Sequence, residues 1–150
     1  MRCGGELPDT TPCPESVASI ATCYTARHET GAYLFTVMPK NWNGNLVVFA
    51  HGGPTYTPPT ATSSQRYVDR AGGPVAVKRG FAWIASSYRR EGYGVAMAAE
   101  DSDNARKFFI ARLSQQTWCG PRSGPMIYFH CPDKDSSWDS CDIVPPSAAF

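Results

Sequence analysis

The sequence predicts an α/β fold, and three observations predict it. Residues 46–50 (Leu-Val-Val-Phe-Ala) and 81–85 (Phe-Ala-Trp-Ile-Ala) are short runs apolar on both faces, the pattern of strands buried at the centre of a sheet. Each run is followed by a loop and then by residues at helical spacing, an alternation that implies parallel central strands with flanking helices. The chain has 150 residues, 42% of them hydrophobic, which is enough to bury one core.

The elements follow in order. Residues 1–18 are rich in Gly, Pro, Cys and Thr and read as an irregular lead-in. Residues 19–27 and 33–38 carry β-branched and aromatic side chains and read as strands, with His28-Glu29-Thr30-Gly31 as the hairpin turn between them. Asn41-Trp42-Asn43-Gly44-Asn45 is a second turn. The 46–50 strand comes next and is read as central. Residues 62–71 read as a helix with Thr62 or Ser63 as its cap. Residues 74–79 form a second, shorter one, opened by Pro74, with cations in its last turn and Gly80 just past its end. After the 81–85 strand, Tyr88, Arg89 and Arg90 read as a solvated loop. Asp101-Ser102-Asp103 supplies caps and negative charge for a further helix, and Ala105, Phe108, Phe109 and Leu113 give it one apolar face.

Beyond Leu113 this pattern stops. Residues 114–150 contain no Leu, three Cys, two Trp, five Pro and six Ser, and Met126 to His130 is the sole strand candidate. A stretch with so little apolar surface cannot offset its own ordering entropy, so an irregular tail is expected. The organisation is thus 1–18 lead-in, 19–113 α/β domain and 114–150 tail.

Charge excludes several function classes. Fourteen basic and 13 acidic residues leave a net charge of +1, which provides no broad footprint for nucleic acid or an anionic membrane. The longest apolar run is too short to span a bilayer, and residues 1–6 lack the apolar stretch of a signal peptide. A soluble chain is expected. Its compartment stays open, because an export signal could lie upstream of Met1.

The six cysteines fall into two clusters, Cys3, Cys13 and Cys23, then Cys119, Cys131 and Cys141. None is spaced as C-x-x-C. Cys119, His130, Cys131 and Cys141 are metal-type donors without zinc spacing, so no metal site is expected. Disulfides require an oxidising compartment; otherwise these are ordinary thiols.

The sharpest chemical signal is the apolar strand ending in His51-Gly52-Gly53. A peptide N–H approaches a substrate oxygen only where no Cβ obstructs it, and two glycines provide that. The run from Pro39 to Gly53 (PKNWNGNLVVFAHGG) resembles the strand and oxyanion loop of α/β-hydrolase serine esterases and peptidases. The run from Gly80 to Gly94 (GFAWIASSYRREGYG) is similar to the next strand of that fold, with the Tyr-Arg-x-x-Gly-Tyr-Gly ending of prolyl-oligopeptidase-like members. The resemblance covers residues 19–113. It implies that Gly52 and Gly53 belong to an oxyanion hole and that His51 lines the pocket and shapes the loop rather than acting as base; Tyr93 either lines the substrate pocket or packs against the sheet edge. It implies no cofactor.

The resemblance also shows what is missing. The fold's nucleophile elbow is Gly-x-Ser-x-Gly, and this pentapeptide does not occur. In Gly120-Pro-Arg-Ser-Gly124 the serine is shifted by one place, so Ser123 is not assigned as nucleophile. His130 is the last histidine, and Asp133, Asp135, Asp139 and Asp142 read as solvated charges. Since each βαβ unit takes about 30 residues, the chain has room for the N-terminal half of such a hydrolase. The expectation is therefore a serine-hydrolase fragment, cut short or read out of frame after Leu113. It would act on small-molecule esters or amides in the intact relative and be inactive alone. Its catalytic residues are unassigned. The alternative is a non-catalytic module that binds a small ligand and is held together by disulfides.

Overall fold

A computed structural model describes residues 7–92 and 94–114, together with the backbone of two short strands further on. The chain divides into two units, residues 1–120 and 121–150. In the first, five strands form one sheet in the order β1-β2-β3-β5-β4. In chain order the elements are β1 (Asp9–Thr11), β2 (Ala21–Arg27), β3 (Tyr33–Pro39), β4 (Leu46–Phe49), α1 (Tyr67–Arg70), α2 (Gly73–Lys78), β5 (Ala82–Ser86) and α3 (Val95–Phe109).

The sheet is mixed. β1, β2, β3 and β5 pair antiparallel, and the sole parallel pair among the described strands is β4 with β5. The expected parallel pairing thus occurs once, between β4 and β5, in a sheet that is otherwise antiparallel. The hairpin argument holds for β2 and β3, whose turn closes through His28 N–H donating to Ala32 O at 2.8 Å and Gly31 N–H donating to His28 O at 2.9 Å. The segment read as an irregular lead-in supplies β1, the buried Val17 and a Cys13–Cys23 disulfide, so its polar composition concealed a strand held in place by its neighbour and a crosslink.

Helices cover both faces of the sheet. The strand period of two sends Trp83 and Ala85 of β5 to one side, with Phe35, Val37, Val68 and Val77. Ala82 and Ile84 go to the other, with Leu34, Ala105, Phe109 and Leu113. Every residue of β5 is buried, as a strand with an apolar pattern on both faces requires. β4 has the same pattern but stands at the sheet edge and is half-buried, which corrects its reading as a central strand. Its two faces are apolar because helices lie above and below it.

Two helices begin elsewhere than expected. Residues 62–66 form turns and the first α-helix is confined to Tyr67–Arg70, with Ser63 Oγ accepting the Thr60 N–H at 2.7 Å. The last helix starts at Val95 rather than at the Asp101-Ser102-Asp103 triplet. Val95-Ala-Met-Ala-Ala99 is a run of mostly good helix formers after Gly94, and this propensity outweighs the cap-like acidic triplet. Asp101 therefore sits inside the helix and is fully buried. The helix ends in a π-turn over Ile110–Ser114 that brings Leu113 into the core.

In the second unit, β6 (Tyr128–His130) and β7 (Asp142–Val144) pair antiparallel, Phe129 opposite Ile143. The tail read as irregular thus contains a small ladder. The backbone hydrogen bonds that two strands exchange do not depend on an apolar side-chain pattern.

Candidate functional site

In a parallel pair, the loops leaving the carboxyl ends of both strands emerge together, and ligand crevices form there. The loop after β4 begins Ala50-His51-Gly52-Gly53, and the loop after β5 begins Ser87-Tyr88-Arg89. Thr55 and Gly92 link them through an isolated bridge, with Gly92 N–H donating to Thr55 O at 2.8 Å and Thr55 N–H to Gly92 O at 3.4 Å. Between these loops and the first two turns of α3 lies a cleft of about 340 Å³. His51, Gly52, Gly53 and Tyr88 line it on one side, and Val95, Met97, Ala98, Ala99 and Ser102 on the other.

The glycines of this loop are not there for packing. A Cβ built on Gly52 or Gly53 meets nothing within 4 Å. Gly53 has φ +79°, which favours glycine, but Gly52 has no positive φ to explain it. Gly52 therefore leaves a bare backbone on the cleft wall, and nothing among the described residues gives a steric or conformational reason for it.

His51 is buried between two phenol rings. Its ring stacks on Tyr67 at 4.8 Å and 12°, and tilts against Tyr88 at 4.1 Å and 30°. Arg66 donates to the Tyr67 hydroxyl at 3.0 Å and lies over that ring. Burial lowers the pKa of His51. Hydrogen bonding to the Gly52 and Ser87 backbone partly opposes this, and the Arg66 charge adds to it. The imidazole is thus neutral at pH 7, and its buried Nε2 has no hydrogen-bond partner among the described residues.

Tyr88 is the residue that the sequence reading missed. It is buried, and it is the one non-glycine residue with positive φ among those described, at 61°. Its hydroxyl donates to His51 O at 2.8 Å, joining the two loops. Burial raises its pKa, opposed in part by the Ser102 hydroxyl, so it remains a donor. Arg89, also read as solvated, donates from its backbone N–H to Asp101 Oδ2 at 2.8 Å and from Nη2 to Asp101 Oδ1 at 2.7 Å. A signal was available: Tyr88-Arg89 follows the apolar run 81–85 after two serines, where a sheet-end loop forms, and Asp101 lies in a helix-forming run.

Of the other residues singled out in the sequence, Tyr93, Ser123, Asp133, Asp135 and Asp139 lie outside the described residues, as do Cys3, Cys119, Cys131 and Cys141. So do the side chains of His130 and Asp142. Among the described residues no group of three or more His, Cys, Asp or Glu could hold a metal ion, and no helix is long and apolar enough to cross a membrane. No protein-family model matches the chain, and neither a curated protein nor a solved structure is significantly similar to it.

Proposed function

We propose that the chain carries the oxyanion-stabilising part of a serine hydrolase of the α/β-hydrolase type, acting on ester or amide bonds of small molecules. The observation that carries the reading is Gly52: a bare backbone on the wall of a cleft at the carboxyl ends of β4 and β5, with no packing role. Strand, Gly-Gly loop and helix follow in the order in which this type of hydrolase places one of its oxyanion donors. A tetrahedral intermediate concentrates charge on one oxygen, and N–H groups about 3 Å from it stabilise that charge. Here Gly52 and Gly53 would donate, His51 and Tyr88 would hold the loop, and the α3 side chains Val95, Met97, Ala98 and Ala99 would face the acyl group. Hydrolysis also needs a nucleophile and a base, and no Gly-x-Ser-x-Gly occurs in the 150 residues, so the chain alone is expected to be inactive.

The test is to read the coding DNA in all three frames past the Leu113 codon. A Gly-x-Ser-x-Gly followed by an acid and a late histidine is expected, and the repaired chain should hydrolyse p-nitrophenyl butyrate where the 150-residue chain does not. If no frame contains the elbow, the hydrolase reading falls. A non-catalytic module for a small, mainly apolar ligand then takes its place, a reading favoured by the Cys13–Cys23 disulfide and by the apolar α3 wall of the cleft.

A further inference from the structure

We infer that Tyr88 is the positioning residue of the cleft, whose hydroxyl fixes the plane of the His51–Gly52 peptide and so aims the Gly52 N–H; the inference rests on the oxyanion reading of that loop. A trans peptide is planar, and its C=O and the following N–H point in opposite directions. Whatever holds His51 O therefore also sets the Gly52 N–H. The holder is Tyr88, donating at 2.8 Å in a buried contact. Among the described residues, the turn itself is not packed: a Cβ at Gly52 or Gly53 would meet nothing within 4 Å, so close neighbours do not set the plane of that peptide.

Tyr88 is itself held more tightly than an ordinary loop residue. A tyrosine at φ 61° occupies a region that bulky residues rarely adopt, and such strain persists only where the surroundings over-determine it. Ser86 Oγ accepts the Tyr88 N–H at 3.1 Å, and Ser87 Oγ donates to Tyr88 O at 2.8 Å. Arg89, the next residue, is clamped to the buried Asp101. The left-handed backbone turns the side chain out of the strand's alternation and across to the β4 loop, where its ring also meets His51. Preorganised donors are effective because they do not reorganise during reaction, and this arrangement preorganises one.

The experiment uses the full 15N-labelled chain and Tyr88→Phe, which removes the hydroxyl and keeps the ring. The backbone order parameter of Gly52 should fall from about 0.85 towards 0.6, while those of Trp83 and Ile84 stay unchanged. Unchanged order at Gly52 would overturn the inference. Should Tyr88→Phe fail to fold, Ser86→Ala loosens the same cradle without touching the hydroxyl and is expected to lower Gly52 order in the same direction. Sodium butyrate, a carboxylate with a short apolar tail, then separates the two readings. In the unsubstituted protein it should shift the Gly52 and Gly53 amides, and Tyr88→Phe should weaken that binding about tenfold. Equal binding by both proteins would overturn the positioning role. If butyrate leaves the Gly52 and Gly53 amides of the unsubstituted protein unmoved while Gly52 order still falls in Tyr88→Phe, the oxyanion reading fails and Tyr88 remains the residue that fixes the peptide.

Discussion

Arg89 and Asp101 form a multidentate pair that ties the loop after β5 to the second turn of α3. The guanidinium reaches Asp101 Oδ1 from Nη2 at 2.7 Å and from Nε at 3.0 Å, and the Arg89 backbone N–H meets Oδ2 at 2.8 Å. Asp101 is fully buried, whereas about a quarter of the Arg89 side chain remains exposed, and Glu100 adds a second, outer partner.

Removing one member should cost more than the pair contributes, because the other is left unmatched. Asp101→Leu alone is expected to destabilise the fold by about 3 kcal/mol; Arg89→Met should destabilise it as well, and the double variant by clearly less than the sum of the two. Urea denaturation of the four proteins measures this. Strict additivity would mean that the pair is not coupled.

The buried His51 makes stability depend on pH. Its folded pKa is lowered by desolvation, so between the unfolded value near 6.5 and the lowered folded value the unfolded chain binds more protons. The contribution is complete above about pH 7 and is lost as the pH falls through that window. Melting temperature is expected to drop on acidification below about 6.5, and His51→Gln should flatten that part of the profile. A parallel profile in the two proteins would assign the acid sensitivity elsewhere.

The Cys13–Cys23 disulfide closes a loop with a sequence separation of 10 and anchors β1 and Val17 against the sheet. For a loop of this length the chain-entropy model gives about 2–3 kcal/mol. Replacing both cysteines by serine should lower stability by that amount. Peptide mapping without reductant should recover Cys13 and Cys23 in one linked fragment, and separate alkylated peptides would contradict the pairing.

Two left-handed glycines should respond unequally to alanine. Gly53→Ala meets open space and should cost only the backbone penalty of about 1–2 kcal/mol. Gly80, at φ +86°, would also bring its Cβ to 2.9 Å from Asn41 O, so Gly80→Ala should cost more. Comparing the two urea midpoints decides this, and equal losses would show that the Asn41 turn gives way.

Much of the sheet was legible because its strands obey simple rules. Period and β-branching located β2 and β3, and apolar runs located β4 and β5. Strand order was not legible, since β4 and β5 carry the same two-faced pattern while one lies at the edge and the other inside. The start of α3 was misplaced because Asp101 looks like a cap in sequence and is a buried partner in space. In the cleft, His51, Gly52 and Gly53 stood out by composition. Tyr88 did not, because its importance lies in a φ angle and in a bond to a carbonyl 37 positions earlier, which no local pattern encodes.

The placement of β5 has a consequence for the order of folding. β3 and β4 are neighbours in sequence, joined by a short turn, yet β5 lies between them in the sheet. As the chain leaves the ribosome, β2 and β3 can zip at once through their four-residue turn, while the slot beside β3 waits for residues made much later. Closing such a distant contact is slow, and until Trp83 arrives β3 and β4 are free to pair with each other in a register that must later be undone. The α1–α2 crossover, which delivers β5 to that slot, thus sets the pace at which the cleft can assemble.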